Sequence, residues 1–394
     1  MLDTDPLSMK SYPSGISFFC LLIFSSLLVL SGCNDNTAPV SSTNSDGYAT
    51  GFQVNRVSKD LTEVIVTQPW PEAQKPYKYA FLDREAAASA SLNRDAYDAI
   101  VLTPVTSIIA TSTTHIPALE ALGALKSLRG FPDTRYISSK KAVKLVTDGS
   151  IQDLGVNESL NTELVLDLDP EVIVGFSIAG ENESYDVLKR KGIPILYNGD
   201  WVEQHPLGKA EWIRFFGVMF QKEQIADSIF QEIAAQYNQA KALAAKAQKR
   251  PKVLSGAMYR DVWYLPAGDS WGAKFIEDAN ADYLWKESEG TGSLSLSFES
   301  VLSKAANADI WMGTAAFTSY PQLTASNEHY NQFKPFREKK VYTISKTTGP
   351  QGGVLFYELG PNRPDLVLKD MIHILHPELL PDHNPVFYKP LDLE

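Results

Sequence analysis

The chain has 394 residues and a formal net charge of −11, with 44% hydrophobic and 21% charged residues. This composition is typical of a globular protein rather than a disordered or fibrous one. The length is sufficient for two domains with cores of their own. The acidic balance argues against a nucleic-acid-binding surface, because no basic stripe is available to neutralise phosphates.

The N-terminus has the features of an export signal. Ile16–Leu30 is an apolar run of signal-peptide length, too short to span a bilayer comfortably. It leads into Ser31-Gly32-Cys33, which resembles the lipobox of bacterial lipoproteins, where the cysteine is acylated and begins the mature chain. We therefore predict a signal peptide over residues 1–32 and lipidation of Cys33, with an ordinary secretory signal as the alternative. Translation is expected to start at Met9, since residues 1–8 are acidic, although Met1 stays open.

The next residues separate the anchor from the fold. Residues 33–51 are rich in Ser, Thr, Asn and Gly, which is typical of a flexible tether. Residues 52–98 contain three short β-rich runs, Phe52–Arg56, Thr62–Thr67 and Tyr77–Phe81. They predict a small β extension.

From residue 99 the pattern changes to alternating strands and helices, which favours βαβ units and a parallel sheet. Over residues 99–221 the predicted strands are Val105–Thr111, Val172–Gly175 and Ile193–Tyr197, and the predicted helices are Ile116–Leu125 and Tyr185–Arg190. We assign this segment to an N-terminal α/β lobe.

A long helix is predicted over Lys222–Gln248, because Ile225, Ile229, Ile233 and Tyr237 recur every four residues without an intervening Gly or Pro. We assign residues 222–250 to a linker helix, with an ordinary surface helix as the alternative.

The alternation then resumes over residues 251–394, which we assign to a C-terminal α/β lobe. Its predicted elements are the strands Val253–Met258, Ile310–Met312 and Lys340–Ile344 and the helices Trp271–Ala279 and Pro364–Leu375. The predicted fold is thus two Rossmann-like α/β lobes with parallel-type sheets, joined by one long linker helix and preceded by a β extension.

One phrase occurs once in each lobe. In "NTELVLDLDPEVIVG" (161–175) and "SFESVLSKAANADIWM" (297–312), a helix cap is followed two residues later by an acid. The caps are Asn161 and Ser297, and the acids are Glu163 and Glu299. A single acid at this position is explained by the helix dipole, worth roughly 0.3–1 kcal/mol. A matched pair, one in each lobe, favours a role as two anionic contacts for a partner.

These features together resemble the two-lobed substrate-binding proteins of ABC importers for vitamin B12, ferric siderophores and haem. The resemblance covers about residues 100–380. It rests on the lipobox Leu30–Cys33, on the single linking helix, and on the segments 112–131, 160–175, 292–312 and 363–380. It implies a monomer held to a membrane by its N-terminal lipid on the periplasmic side, with the inner or outer membrane left open. It also implies docking to a permease through Glu163 and Glu299, and small lobe movements because a helix absorbs little hinge rotation.

A bulky chelate offers a flat apolar face with polar edges, which aromatic side chains suit. Aromatic residues follow several predicted strands, and the ligand candidates are Tyr136, Phe176, Trp201, Tyr259, Trp263 and Tyr357. The family pattern favours Tyr136, Phe176, Trp263 and Tyr357; the alternative for each is a place in the core.

Three polar features of the sequence are candidate sites. His115, in the "STTH" loop, could contact a ligand, but such a histidine more often caps a helix. His373 and His376 have no third ligand nearby in sequence, so no metal site is predicted. "GPQGG" (349–353) lacks the strand and lysine of a phosphate cradle and is interpreted as a flexible rim.

The predicted function is therefore a carrier without cofactor or catalytic residues, which binds cobalamin or another cobamide, a ferric siderophore or haem, ranked in that order. Enzymes share this two-lobed plan, but cluster ligation needs cysteines, and only Cys33 remains after cleavage. Neither a G-x-S-x-G elbow nor a Ser/His/Asp set stands out. A surface scavenging or adhesion lipoprotein without a permease is the alternative from another class.

Overall fold

The structure is a computed structural model that describes residues 47–178, 180 and 182–394. The predicted signal peptide, the lipidation residue Cys33 and residues 33–46 of the tether lie outside the described residues. Within the described ranges, no helix is both long enough and apolar enough to cross a bilayer.

The β extension is a four-stranded sheet in the order β1-β2-β3-β4. Its strands are β1 (Phe52–Arg56), β2 (Leu61–Val66), β3 (Tyr77–Asp83) and β4 (Ala99–Thr103). The first three are antiparallel neighbours, whereas β4 runs parallel to β3. The sequence pattern places the start of the lobe at residue 99, whereas in the structure β4 pairs with β3 and completes the sheet of the extension.

Two buried glutamates hold the start of the described chain against the rest of the molecule. Glu203 accepts hydrogen bonds from the backbone N–H groups of Thr50 and Gly51, and Glu211 accepts from those of Tyr48 and Ala49. Both carboxylates are buried. The N-terminal segment is therefore fixed from Tyr48 onward, three residues earlier than the predicted end of the tether.

The N-terminal lobe is built on a five-stranded parallel sheet in the order β11-β10-β5-β6-β7. The strands of this lobe are β5 (Ile108–Ala110), β6 (Leu128–Phe131), β7 (Gln152–Asp153), the hairpin β8 (Gly155–Val156) and β9 (Ser159–Leu160), β10 (Val172–Gly175) and β11 (Ile195–Tyr197). Its helices are α1 (His115–Ala121), α2 (Lys140–Thr147), α3 (Thr162–Leu168), α4 (Glu183–Arg190), α5 (Pro206–Glu211) and α6 (Ile213–Met219). Strands β5, β10 and β11 are buried throughout, as is typical of a parallel sheet covered on both faces.

The linker helix α7 runs over Glu223–Ala244, 22 residues or about 33 Å. The helix ends at Ala244, four residues before the predicted end at Gln248. The side chain of Asn280 donates a hydrogen bond to the carbonyl of Ala244. The buried stripe recurs at intervals of three and four residues and consists of Ala226, Phe230, Ile233, Tyr237, Ala240 and Ala244. Ile225, which the sequence analysis placed in the apolar row, is 49% exposed.

The C-terminal lobe has a second five-stranded sheet in the order β15-β12-β17-β18-β19, parallel except at the edge strand β19. The strands of this lobe are β12 (Lys252–Ser255), β13 (Ala257–Tyr259), β14 (Val262–Pro266), β15 (Asp282–Tyr283), β16 (Ser293–Leu296), β17 (Ile310–Met312), β18 (Val341–Thr343) and β19 (Lys389–Pro390). Its helices are α8 (Trp271–Asp278), α9 (Phe298–Ala305), α10 (Tyr320–Ser326), α11 (Lys334–Arg337), α12 (Leu355–Leu359) and α13 (Pro364–Leu375).

The predicted strand Val253–Met258 is two strands in the structure. Gly256, with φ of 76°, separates β12 from β13, and β13 joins a three-stranded antiparallel sheet with β14 and β16. A Cβ atom at Gly256 would lie 1.8 Å from the carbonyl oxygen of Tyr264, so only glycine fits this turn. The predicted fold class is confirmed, with this small antiparallel sheet as an addition.

Candidate ligand-binding cleft

A cavity of about 380 Å³ lies at the carboxyl ends of three strands of the N-terminal lobe. Residues 111–113 follow β5, residues 131–133 comprise the last residue of β6 and the two after it, and Phe176 follows β10. Val354 and Tyr357, from the region of α12 in the C-terminal lobe, line the same cavity. Ligands of open parallel sheets bind outside the carboxyl ends of the strands, so this position between the lobes is the candidate binding cleft.

A buried hydrogen-bond network fixes the inner wall of the cleft. The hydroxyl of Thr111 accepts the backbone N–H of Phe176 at 2.8 Å and lies 3.0 Å from the Tyr185 hydroxyl. The Tyr185 hydroxyl in turn donates to the Asn157 side chain, whose amide donates to the Phe176 carbonyl. The backbone of Phe176 is thus held from both sides, and its ring is pre-positioned toward the cavity.

Two tyrosines face the cavity from opposite lobes. Tyr136 ends a 3₁₀ turn after β6 and is 54% exposed, and Tyr357 on α12 is 57% exposed. The Arg135 guanidinium lies 4.9 Å from the centre of the Tyr136 ring. Large aromatic surface with a hydroxyl edge is therefore available on both sides of the opening, which suits a flat ligand with polar edges.

The two walls are joined by Glu358, a residue that the sequence analysis missed. Its carboxylate, 2% exposed, accepts the backbone N–H groups of Ser138 at 2.6 Å and Ser139 at 2.8 Å. Burial raises the pKa of Glu358 to about 7, against the two N–H donors, which lower it. No residue near Glu358 in the sequence indicates this contact, because its partners lie about 220 positions earlier in the chain.

The glycine-rich segment 349–353 packs against the other lobe. A Cβ atom at Gly353 would lie 2.1 Å from the Tyr136 carbonyl, and one at Gly349 would lie 2.3 Å from the Ser138 Cα. The Ser138 hydroxyl also donates to the Gly353 carbonyl. Glycine is required here for close approach, so the segment interpreted as a flexible rim is an interlobe contact.

The structure brings together three of the six aromatic candidates, Tyr136, Phe176 and Tyr357. Trp201 lies directly behind Phe176, with the ring centres 5.6 Å apart in an edge-on arrangement. Tyr259 is 64% exposed at the end of β13 and does not line the cavity.

Trp263 requires a correction. Its side chain is fully buried in the C-terminal lobe, stacked on Trp311 at 5.4 Å, and its indole N–H donates to the Ser255 carbonyl. It is a core residue of β14. The alternation of β14 directs the Trp263 side chain inward, whereas position after a predicted strand does not distinguish an inward from an outward side chain.

His115 is also corrected. It is the first residue of α1, fully buried against Phe216, and neither ring nitrogen hydrogen-bonds to a described residue. Burial lowers its pKa to about 4, so the imidazole is neutral. It does not line the cleft and does not cap its helix through its side chain.

The two paired acids have equivalent local settings. Asn161 and Ser297 cap α3 and α9 by accepting from the backbone N–H three residues on. Glu163 and Glu299 lie in the first turns of these helices and are exposed. Each helix leads within a few residues into a parallel strand, β10 or β17, so its N-terminus lies toward the carboxyl edge of that lobe's sheet. Neither acid forms an ion pair with any residue that the structure describes.

Titratable side chains do not assemble into a metal centre within the described part of the chain, where no group of three or more His, Cys, Asp or Glu residues could hold an ion. The arrangement at the cleft is instead one of aromatic faces, hydroxyls and carboxylates. Aromatic faces and hydroxyls are groups that can stack on a ligand and hydrogen-bond to it.

The chain belongs to the periplasmic binding protein family, whose sequence model matches residues 108–348. This is a family of substrate-binding proteins. The match begins at β5, so the β extension lies outside it.

The chain is also similar to a curated relative and, in fold, to solved structures. An uncharacterized lipoprotein of Methanocaldococcus jannaschii is 26% identical over 305 residues, which covers 75% of this chain and 71% of the relative. A periplasmic binding protein of Veillonella parvula superposes with a TM-score of 0.54 at 16% identity, covering 82% of this chain and 94% of that one. The periplasmic haem-binding protein HutB of Vibrio cholerae gives a TM-score of 0.52 at 18% identity, covering 67% and 99%. These structural similarities show a shared fold.

Proposed function

We propose that this protein is the lipid-anchored substrate-binding component of an ABC importer and carries a bulky metal chelate between its two lobes. The observation that carries the proposal is the cleft itself, with Phe176 and Tyr136 on one wall and Tyr357 on the other. Its volume of about 380 Å³ lies in the range of ligand pockets, roughly 300–1,000 Å³. The exposed tyrosine faces extend this surface outward, so a larger ligand would sit in the cleft and project from its mouth.

Cobalamin or a related cobamide is the first candidate ligand, because a corrin offers an apolar face together with amide edges for the hydroxyls and carboxylates of the cleft. A ferric siderophore is the second. Haem is the third, and the similarity in fold to a haem-binding protein of Vibrio cholerae is a reason to test it. We propose binding and release without chemical conversion of the ligand.

Absorption spectroscopy tests the ligand class directly. The purified protein is incubated separately with cyanocobalamin, a ferric hydroxamate and haemin, desalted, and its visible spectrum recorded. Stoichiometric retention of one chelate supports the proposal. Retention of none of the three, by folded protein, contradicts it.

We further propose that Glu163 and Glu299 dock the loaded protein on the permease by pairing with cationic side chains. Both acids are exposed and have no cationic partner among the described residues, so their charge is available to a second protein. One acid in each lobe would let the permease contact both sides of the cleft and sense whether the lobes hold a ligand.

Charge reversal separates docking from ligand binding. Glu163→Arg with Glu299→Arg should abolish uptake while leaving ligand affinity unchanged, because neither residue lines the cleft. The control is Asp167→Arg with Glu378→Arg, which reverses two other exposed carboxylates, one of them on α3 itself. Undiminished transport in the first double variant would mean that the two acids do not dock the permease and serve only as helix-capping acids.

The proposed location is the periplasmic side of a membrane, held by lipid on Cys33. The named relative is a lipoprotein, and the tether would leave the fold at Tyr48. Cys33→Ser should move the protein from the membrane fraction to the soluble fraction. Unchanged membrane association would contradict the lipid anchor.

A further inference from the structure

The charged residues that line the cleft are both acidic. They are Asp133, after β6, and Glu158, in the hairpin between β8 and β9. No Lys, Arg or His is among the described residues that form the cavity wall. The polar groups facing the ligand are therefore carboxylates, hydroxyls and one side-chain amide.

A third carboxylate lies directly behind this wall. Asp153 accepts the backbone N–H and the hydroxyl of Thr134, at 3.0 and 2.5 Å, and the backbone N–H of Gly155. These donors hold the pKa of Asp153 below its ordinary value despite partial burial. The group is thus ionised at neutral pH and adds to the negative potential of the wall.

The nearest cations are committed to other contacts. Arg135 lies outside the cavity wall, 3.1 Å from Asp133 and above the Tyr136 ring, so it offsets one of the acids. Arg363 is held by two 2.8 Å hydrogen bonds to Asp365 and lines a different cavity. Glu158 has no ion-pair partner among the described residues.

We infer that the cleft selects chelates with neutral or cationic edges rich in hydrogen-bond donors, and discriminates against the same chelates when an edge carries a carboxylate. The inference rests on the proposed function and narrows its substrate class. Its physical basis is that a ligand carboxylate would meet two acidic residues and no free cation at the wall. An amide N–H or an ammonium group would instead find acceptors.

Two matched ligand pairs test this with the full chain. The first is cyanocobalamin against its monocarboxylic acid, in which one peripheral amide is hydrolysed. The second is ferrioxamine B, which has a free ammonium group, against its N-succinyl derivative, which ends in a carboxylate. Within each pair the metal and the shape of the chelate are retained, so the affinity ratio reports the charge of the edge.

In whichever pair binds, the carboxylate member should bind at least about tenfold more weakly at low ionic strength, and added salt should reduce the ratio. Glu158→Gln should bring the affinities of the two members of a pair closer together. Glu158→Lys should reverse the preference, so that the carboxylate member binds more tightly. Glu378→Lys, an exposed acid remote in sequence from the cleft residues, serves as the control and should leave the ratio as in the wild type. Circular dichroism verifies that each variant is folded.

The outcomes distinguish this inference from the proposed function. Equal or tighter binding of the carboxylate member to the wild type overturns the charge selection while leaving a chelate carrier in place. A ratio unchanged by Glu158→Lys overturns the assignment of selection to this wall. Failure of the wild type to bind any chelate, including haemin, overturns the proposed function itself.

Discussion

Replacement of Glu358 by glutamine removes a titratable group buried between the lobes and alters one of its two hydrogen bonds. The carboxylate is 2% exposed and is held by the backbone N–H groups of Ser138 and Ser139. Glutamine has nearly the same shape and stays neutral at every pH. The other charged residues that line the same cavity as Glu358 are Glu120, Lys141, Glu232, Arg363 and Asp365. Lys141 pairs with Glu120, and Arg363 pairs with Asp365.

The magnitude follows from the pKa of Glu358, which burial raises from 4.5 to about 7 in the folded protein. Because the folded-state pKa is the higher one, the folded protein binds this proton more tightly than the unfolded chain does. The associated stability is fully present below about pH 4.5 and is lost as the pH rises through about 7. At about 1.4 kcal/mol per pKa unit, the loss is about 3 kcal/mol across this window.

Denaturant unfolding at several pH values from about 4.5 to 8 measures the contribution of Glu358 to the free energy of unfolding. The wild type should lose about 3 kcal/mol relative to Glu358→Gln as the pH rises, on top of a pH-independent offset from the altered hydrogen bond, roughly 1–3 kcal/mol. Glu378→Gln, an exposed acid, is the control and should parallel the wild type. Parallel curves for the wild type and Glu358→Gln would refute the reasoning, since they would mean that folding does not shift this proton.

Two further substitutions test other contacts. Glu203→Ala removes the buried acceptor for the N–H groups of Thr50 and Gly51 and for the indole N–H of Trp212. It should cost about 3 kcal/mol of unfolding free energy and speed proteolysis ahead of Phe52, and unchanged protection would contradict the contact. Trp263→Ala empties a core position and should cost about 3–5 kcal/mol, whereas Trp263→Phe should cost less. Denaturant unfolding measures the loss of unfolding free energy in each variant. A loss in Trp263→Ala that is smaller than the loss in Trp263→Phe would contradict the buried placement of Trp263.

Elements whose causes are local could be predicted from the sequence. The helix Pro364–Leu375 and the strand Ile310–Met312 have the predicted bounds, because a proline at the helix start and an apolar run after Asp309 are signals within a few residues. The caps Asn161 and Ser297 also function as expected, since an N-cap acts on an N–H three residues away.

Features that depend on distant partners were beyond the sequence. The assignment of β4 depends on its pairing with β3, across a loop that gave no clear signal. The turn at Gly256 between two sheets could not be predicted from the sequence. Glycine is required there because a Cβ atom would clash with the backbone of Tyr264. Trp263 and Tyr357 both look like aromatic residues near element ends, and only packing separates a core side chain from one in the cleft.

The interlobe contact shows the same limit at the site. Glu358 accepts hydrogen bonds from residues about 220 positions earlier in the chain. No residue near it in the sequence indicates that its partner is a backbone N–H. The cleft acids Asp133 and Glu158 come from two different loops after strands. Their shared position follows from the order of strands in the sheet, which the sequence alone did not give.

The central claim is that a chelate binds between the lobes, against Phe176 and Tyr357. Titration of the chelate that the wild type retains, followed by absorbance, against Phe176→Ala with Tyr357→Ala tests it most directly. Removal of one aromatic face from each wall should weaken binding by about a hundredfold or more, roughly 3 kcal/mol, in a protein that remains folded. Wild-type affinity in the double variant would contradict the account, because the ligand would then have to bind elsewhere.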